Sequence, residues 1–196
     1  MFPKLKIAKF MNLNREDAYN LLEKYLKNKN LIKHSLAVEA LMKALAKKFN
    51  ENEELWSITG LLHDLDWEMT QNEPEKHSLI AYEILKENGY PEEIAKAIKI
   101  HNHLHHLEPE TLMEKALYST EEITGLIVAA TLVLPSKSIK DLTVDSILKR
   151  FKEKAFARGV DRQLINLTPQ YLGISLEELA KIALKAMQEI SKELQL

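Results

Sequence analysis

The chain has 196 residues, of which 45% are hydrophobic, and its formal net charge is −2. This length suits one domain, and the hydrophobic fraction is high enough for a sizeable core, which argues against intrinsic disorder. The small net charge removes the simplest argument for nucleic-acid or membrane-surface binding, and the lack of cysteine excludes disulfides and thiolate metal sites.

The first residues, Met1–Ile7, contain no apolar run long enough for a signal peptide or a spanning helix. We therefore predict a cytoplasmic protein that does not contact the membrane. The chain contains only 5 Gly and 6 Pro, and none of its segments alternates strongly between apolar and polar residues. These features predict an all-α fold.

A helix is predicted to begin at Asn14, after residues 1–13, which show no clear period. The next helix, at about 31–49, carries an apolar stripe along one face, and His34 lies on that stripe. A lone histidine on such a stripe is more often a hydrogen-bonded core residue than a metal ligand. Both roles stay open for His34 at this point.

The third helix, at about 53–65, runs into the adjacent pair His63 and Asp64. Imidazole nitrogen and carboxylate oxygen are the donors that a divalent metal takes in a hydrolytic site. Adjacent side chains on a helix point about 100° apart, so one metal can use both only near the helix end, unless the pair serves two metals. Gly60, one turn earlier, would let a neighbouring backbone approach closely.

Two carboxylates, Asp66 and Glu68, follow the pair where the sequence predicts a helix end and a loop. Either could orient a water molecule or act as a general base. Two alternative roles are at least as good for each residue. One is a partner that orients a metal ligand, and the other is a carboxylate at a helix end.

Further histidines continue the pattern. Two of them lie on the core-facing stripes of predicted helices: His77 on the helix at about 75–88 and His101 on the helix at about 92–103. A cluster follows at residues 103–106, and a polar loop is the favoured interpretation for His105 and His106.

A long helix at about 111–133 is apolar around most of its girth, which predicts that it is buried. Glu121 falls on one of its apolar stripes. Because a buried carboxylate without a partner is destabilising by several kcal/mol, we expect Glu121 to meet a cation. A lysine in a salt bridge and a metal ion are the two candidates.

Beyond Pro135 the chain turns basic as far as Arg162. A solvated helical face is the default interpretation, and a rim that attracts phosphate is the alternative. The last helix, from Ser175 to about Leu194, opens with a capping-box sequence that pairs Ser175 with Glu178. It is predicted to be a packing helix without a chemical role.

Six residues recur on buried faces of five different predicted helices: His34, His63, Asp64, His77, His101 and Glu121. Separate core explanations would be needed for each helix. Convergence on one or two metal ions accounts for all of them at once, so the pattern favours a metal site.

Over residues 31–130 this pattern resembles the HD superfamily of metal-dependent phosphohydrolases. More narrowly, the chain is similar to the small bacterial and archaeal HDIG-type predicted hydrolases, and this similarity extends to about residue 165. Beyond the His-Asp motif, the segments that carry it are Glu121–Ala129, Pro135–Ser138 and Phe156–Val160.

The resemblance implies a single HD-type helical bundle over residues 1–196, with a core at about 31–134 and an additional C-terminal helical segment at about 135–196. It implies metal-dependent hydrolysis of a phosphate ester on a nucleotide or another small phosphorylated metabolite. One or two divalent ions (Mn, Fe, Ni, Mg or Zn) would be the cofactor. Nucleic acid is not expected as the substrate, and a homodimer stays open.

The resemblance also suggests roles for individual residues. One ion would be held by His34, His63, Asp64 and Glu121, and a second by His77 and His101, with Asp64 bridging the two. Since phosphoryl transfer asks the protein mainly for positioning and charge neutralisation, three basic residues are candidate phosphate contacts: Lys137, Lys154 and Arg158.

The chain departs from the family pattern at three places. Asp66 stands where the HDIG motif has glycine, and Glu121 matches the late aspartate of the superfamily with a carboxylate one methylene further out. Asn102 stands where relatives with paired histidines carry the second one. This last departure argues against a cyclic-di-nucleotide phosphodiesterase.

Two other functions remain open at the level of sequence. An HD-type di-iron oxygenase would use the same ligands for O₂ chemistry. A non-catalytic module that binds metal or nucleotide is kept open by the departure at Glu121.

Overall fold

The computed structural model describes residues 14–196, and this part of the chain contains helices and no β-strand. The prediction of an all-α fold is therefore confirmed. No helix in this range is both long and apolar enough to cross a bilayer. The predictions for residues 1–13 lie outside the described residues.

The first half of the described chain forms six helices. They are α1 (Arg15–Tyr25), α2 (Lys29–Phe49), α3 (Glu53–Leu62), α4 (Trp67–Thr70), α5 (Leu79–Glu87) and α6 (Glu92–His101). Asparagines start the first three helices, because the side chains of Asn14, Asn28 and Asn52 each accept a backbone N–H of the first turn. The long helix α2 packs along α3 at the centre of the bundle.

The second half contributes seven more helices. They are α7 (Leu112–Thr120), α8 (Glu122–Leu132), α9 (Val144–Lys152), α10 (Arg162–Ile165), α11 (Thr168–Leu172), α12 (Leu176–Glu189) and α13 (Ser191–Leu194). The amphipathic helix α12 packs against α2, α8 and α9. Its N-terminus has only half of the predicted capping box: the Ser175 side chain accepts the Glu178 N–H, and no return bond from Glu178 is formed.

The prediction of one continuous helix at about 111–133 was wrong, because α7 and α8 meet at a break at Glu121. Just before the break, the hydroxyls of Ser119 and Thr120 donate to carbonyls four residues earlier. Such back-bonding competes with the helical ladder and bends it. The Glu121 N–H reaches the Leu117 carbonyl at a long 3.4 Å, and the apolar pattern on both sides hides the break in the sequence.

The helix predicted at about 75–88 begins later than expected, at Leu79. Ser78, the residue before it, has a φ of 69°, in the left-handed region that a helix cannot continue through. His77 therefore lies in the turn that precedes α5 and not on the helix itself. The side chain of His77 is nevertheless buried, as its sequence pattern predicted.

Gly60 lies where α3 crosses α2 with very little space between their backbones. A Cβ atom added at Gly60 would lie 2.8 Å from the Val38 carbonyl oxygen and 3.0 Å from the Glu39 Cα. The close backbone approach predicted at this glycine is confirmed. It bears on the predicted metal site, since His63 follows one turn later.

We expect Gly60→Ala to lower the free energy of unfolding by about 1–3 kcal/mol, because the added methyl group overpacks against rigid backbone. Gly125→Ala is the matched control, since its Cβ would meet only the Val160 Cγ2, at an ordinary 3.5 Å. The control should leave stability unchanged or raise it by up to about 1 kcal/mol. Urea denaturation of both variants makes the comparison, and equal stabilities would contradict the tight helix crossing at Gly60.

Candidate metal centre

The structure brings the six candidate metal ligands into one buried cluster. Helix ends and turns position most of them: His63 and Asp64 follow α3, His77 precedes α5, His101 ends α6, and Glu121 lies between α7 and α8, while His34 lies within α2. Three overlapping triads of their ligand atoms each fit within 4.8 Å. The cluster thus offers the donors of a metal site from separate parts of the chain.

Asp64 lies at the middle of this cluster and divides it into two halves. Its Oδ2 is 3.6 Å from the Nε2 of His34 and 3.5 Å from the Nε2 of His63. Its Oδ1 faces the other way, 3.3 Å from the Nε2 of His77 and 3.7 Å from that of His101. One carboxylate can therefore serve both pairs of imidazoles.

Backbone carbonyls fix the rings of His63 and His101. The Nδ1 of His63 lies 2.8 Å from the Gly60 carbonyl oxygen, and the Nδ1 of His101 bonds the Ile98 carbonyl in the same way. A carbonyl only accepts, so each Nδ1 carries the proton. The Nε2 atom of each ring therefore keeps its lone pair and faces the centre of the cluster.

Side chains fix the other two rings. The His77 Nδ1–H donates to the Asp66 Oδ1 at 2.8 Å. The hydroxyl of Thr124 donates to the Glu121 carbonyl, which leaves its oxygen to accept from the His34 Nδ1 at 3.3 Å. A partner on the outer nitrogen is the usual way in which proteins orient a metal-binding histidine. All four rings therefore present Nε2 inward.

The inward nitrogens lie close enough together to share a proton or a metal ion. The Nε2 atoms of His34 and His63 are 3.2 Å apart, and so are those of His77 and His101. With the ring protons held on Nδ1, each pair brings two lone pairs face to face. A proton or a metal ion removes this repulsion, and a metal satisfies several donors at once.

Glu121 supplies the second carboxylate. Its Oε2 is buried, has no hydrogen-bond partner, and lies 3.4 Å from the His63 Nε2. Burial, and then the negative charges of Asp64 and Glu122, raise the pKa of Glu121 well above the ordinary carboxyl value. Among residues 14–196 Glu121 forms an ion pair with His63 and with no lysine or arginine, so this part of the chain gives no support to the alternative of a salt bridge to lysine. An orphaned oxygen among four imidazoles fits a divalent ion.

The cluster without an ion has strongly shifted protonation equilibria. Burial lowers the pKa of His63 to about 3 and also lowers that of His34. Burial opposes ionisation of Asp64, but the surrounding imidazoles, His63 first, hold its pKa well below the ordinary value. Burial would also lower the pKa of His77, but hydrogen bonds to Asp64 and Asp66 raise it to about 9. His77 is thus protonated at neutral pH.

This elevated pKa gives the metal-free protein a stability that depends on pH. Because the pKa of His77 is about 9 in the folded protein and 6.5 for an ordinary histidine, its contribution is present below pH 6.5 and is lost as the pH rises toward 9. We expect about 3 kcal/mol of unfolding free energy to be lost over this window. Urea denaturation of chelator-treated protein at both pH values measures it, and His77→Gln, which lacks this titration, should remove most of the slope. An unchanged slope in the variant would contradict the assignment to His77.

The carboxylates of Asp66 and Glu68 both accept hydrogen bonds from protein N–H groups. Asp66 is fully buried, and its second oxygen accepts the Ala81 N–H of the first turn of α5 at 2.8 Å. Glu68 accepts the backbone N–H of Lys27 at 2.9 Å and that of Asn28. Both carboxylates are therefore engaged with protein N–H groups. This geometry favours the alternative roles, a partner that orients a ligand for Asp66 and a structural carboxylate for Glu68.

The three candidate phosphate contacts do not touch the cluster. Lys137, Lys154 and Arg158 are exposed, and none of the three makes a side-chain hydrogen bond or ion pair within residues 14–196. Lys137 has a positive φ of 51° in the loop after α8. Their role in substrate binding stays a prediction.

Several residues that support the cluster were not found from the sequence. His105, interpreted as part of a polar loop, donates from Nε2 to the His77 carbonyl at 2.8 Å. Asn102 donates to the carbonyls of Pro74 and His77, and the Trp67 ring meets the His77 ring edge-on at 4.8 Å. These contacts brace the turn that holds His77. They carry no sequence signal, because most of them end on backbone atoms.

Comparison with known proteins agrees with this geometry. The sequence model of the HD domain family matches residues 31–131, just over half of the chain. The chain is 28% identical over 161 residues to ribonuclease Y of Protochlamydia amoebophila (strain UWE25), which covers 79% of this chain and 30% of that protein. It is also 27% identical over 138 residues to ribonuclease Y of Lawsonia intracellularis (strain PHE/MN1-00). This alignment covers 69% of this chain and 26% of that protein. The chain thus spans less than a third of the length of these relatives.

Proposed function

The chain belongs to the HD domain family of metal-dependent phosphohydrolases, and we propose that it hydrolyses a phosphate ester of a nucleotide or another small phosphorylated metabolite. The observation that carries the proposal is the convergence of four inward-facing Nε2 atoms and two carboxylates in one buried cluster. The division into an HD core at about 31–134 and a C-terminal helical segment belongs to the same proposal.

The residues of the cluster have distinct tasks in this proposal. His34, His63, Asp64 and Glu121 would hold one divalent ion, and His77 and His101, together with Asp64, would hold a second. When bound, such an ion activates water and neutralises charge on the phosphoryl group.

Three residues outside this set serve the ligands. Gly60, Asp66 and Thr124 accept the outer N–H of three of the rings and so keep the metal-binding nitrogens free and aimed. His34 is the most exposed of the four histidines, at 31% of its side chain. The substrate phosphate therefore approaches from the side of His34.

RNA is a second candidate substrate. The observation in its favour is that the relatives from Protochlamydia and Lawsonia are ribonucleases. Against it stands the net charge of −2, which gives the chain no general attraction for a polyanion. A phosphodiester in RNA and one in a small nucleotide ask the same chemistry of the metal centre, so substrate trials decide between them.

The first experiment is metal analysis of protein purified without chelator. We expect about one or two transition-metal ions per chain, since six donors converge. A chain that stays metal-free after incubation with Mn²⁺, Fe²⁺, Ni²⁺ and Zn²⁺ would contradict the proposal. Anaerobic purification with iron analysis and a mixed-valent EPR signal would point to the di-iron oxygenase instead.

The second experiment is a substrate panel with added Mn²⁺. Phosphomonoesters, nucleotides, cyclic dinucleotides and a short single-stranded RNA are offered to the wild type and to a chelator-treated control. Turnover of a small phosphorylated compound supports the proposal, and preferential turnover of RNA supports the second candidate. A metal-loaded protein that hydrolyses none of them would be the non-catalytic module.

A further inference from the structure

One arginine organises the loop that follows α9. The N–H groups of the Arg162 guanidinium donate to five backbone carbonyls of the same short stretch, namely those of Phe151, Glu153, Phe156, Ala157 and Val160. Within residues 14–196 Arg162 has no carboxylate partner. A planar fork with five donors can satisfy five carbonyls at fixed positions, and a lysine ammonium cannot. Arg162 therefore fixes the path of the loop at residues 153–161.

The loop is held against the N-terminus of α8, beside the metal centre. The Asp161 N–H donates to the Glu122 Oε2 at 3.1 Å, and the Val160 side chain lies against Gly125 of α8. Glu122 directly follows Glu121 in the chain, and Glu121 belongs to the cluster. These contacts place the loop at the rim of the cluster.

The loop carries two cations that the rest of the described chain leaves unused. Lys154 and Arg158 are exposed and have no ion-pair partner. Arg158 lies between two residues whose carbonyls Arg162 binds, Ala157 and Val160, and Ala157 has a φ of 44° in the left-handed region. The backbone on both sides of Arg158 is thus fixed, whereas its guanidinium faces solvent.

We propose that Arg162 is a positioning residue that holds Arg158 at the rim of the metal centre, where the Arg158 guanidinium binds a phosphate group of the substrate. The inference rests on the proposed function and adds to it the residue that recognises the phosphate and the device that places it. A guanidinium fork matches phosphate oxygens bidentately. A fixed loop lowers the entropy lost when the pair forms.

The test is a double-mutant cycle on the binding of inorganic phosphate to the Mn²⁺-loaded full chain, measured by calorimetry. Arg158→Ala should weaken phosphate binding about tenfold or more, as expected for a charge-assisted hydrogen bond. Arg162→Lys keeps the charge but loses the fork, and should weaken binding severalfold. In the Arg158→Ala background the same change should have no further effect, because the two residues act through one contact. Lys181→Ala, an exposed lysine on α12, is the control and should bind like the wild type.

Metal content and the urea midpoint are measured for every variant, so that a loss of folding or of metal is not mistaken for lost phosphate binding. If Arg162→Lys does not fold, Val160→Ala replaces it in the cycle, since it loosens the loop against Gly125. The inference is overturned if the wild type binds no phosphate or if Arg158→Ala binds it normally. It is also overturned if Arg162→Lys, or Val160→Ala in its place, weakens phosphate binding equally in the wild type and in Arg158→Ala. Turnover of the substrate panel by the wild type alongside any of these results leaves the proposed function standing.

Discussion

Replacing Asp64 with alanine should abolish metal retention and phosphohydrolase activity while leaving the helical circular-dichroism signal largely intact. Asp64 is the one carboxylate of the cluster whose two oxygens face both pairs of imidazoles, at 3.3–3.7 Å. Its removal takes a donor from each half of the cluster at once. The side chain lies in the turn after α3 and not in the apolar core, so helix packing should persist.

The measurement is metal content by mass spectrometry together with turnover of whichever panel compound the wild type hydrolyses. Asp145→Ala is the control, because Asp145 is an exposed carboxylate in the first turn of α9. It should retain metal and activity. If activity survived in Asp64→Ala, hydrolysis could not depend on a metal held by Asp64, and the proposed mechanism would be wrong.

Glu121→Gln should weaken metal binding by about 1–3 kcal/mol, the effect of losing a charged ligand or hydrogen-bonding group. Glu121→Asp should keep much of the affinity, because it retains the charge and restores the residue type that the HD superfamily has at this position. Metal titrations of both variants give the comparison. Unchanged affinity in Glu121→Gln would remove Glu121 from the site.

The same glutamine variant should behave differently without metal. The pKa of Glu121 is raised by burial and by nearby negative charge, so the folded state favours its protonated form, and stability is lost as the pH rises through that elevated pKa. Glutamine cannot ionise. Chelator-treated Glu121→Gln should therefore have a thermal midpoint at or above that of the wild type. The difference between the two midpoints should grow as the pH at which they are measured is raised. A variant midpoint below that of the wild type at every pH measured would indicate that Glu121 has a structural partner.

The helical periodicity of the sequence, together with the His63-Asp64 pair, was sufficient to find the residues that the structure brings into one cluster. His34 and His101 lie on apolar stripes whose residues recur at helical spacing. Such a stripe identifies the buried face of a helix independently of any ligand. His77 was found in the same way although it precedes its helix, because the turn at Ser78 carries it to the same side. Buried position and donor chemistry are both local properties of the chain, so they can be read from it.

The hydrogen-bond partners of the residues in the cluster could not be found in this way. Thr124 and His34 are 90 residues apart, and no local pattern joins them. The break at Glu121 is invisible because the residues on both sides are apolar, so one helix and two helices have the same pattern. Arg162 resembles any surface cation in a basic stretch, and its five acceptors are backbone atoms that every residue has.

Hydrogen bonds to Glu68 connect the link between α1 and α2 with the segment that carries the candidate metal ligand Asp64. Two of the three backbone amides of that link, those of Lys27 and Asn28, donate to a carboxylate only four residues beyond Asp64. If a bound ion orders the segment after α3, we expect that ordering to reach these amides through Glu68, although they are distant from the cluster in sequence. Their hydrogen–deuterium exchange rates would then record the occupancy of the centre, and would do so in the absence of any substrate.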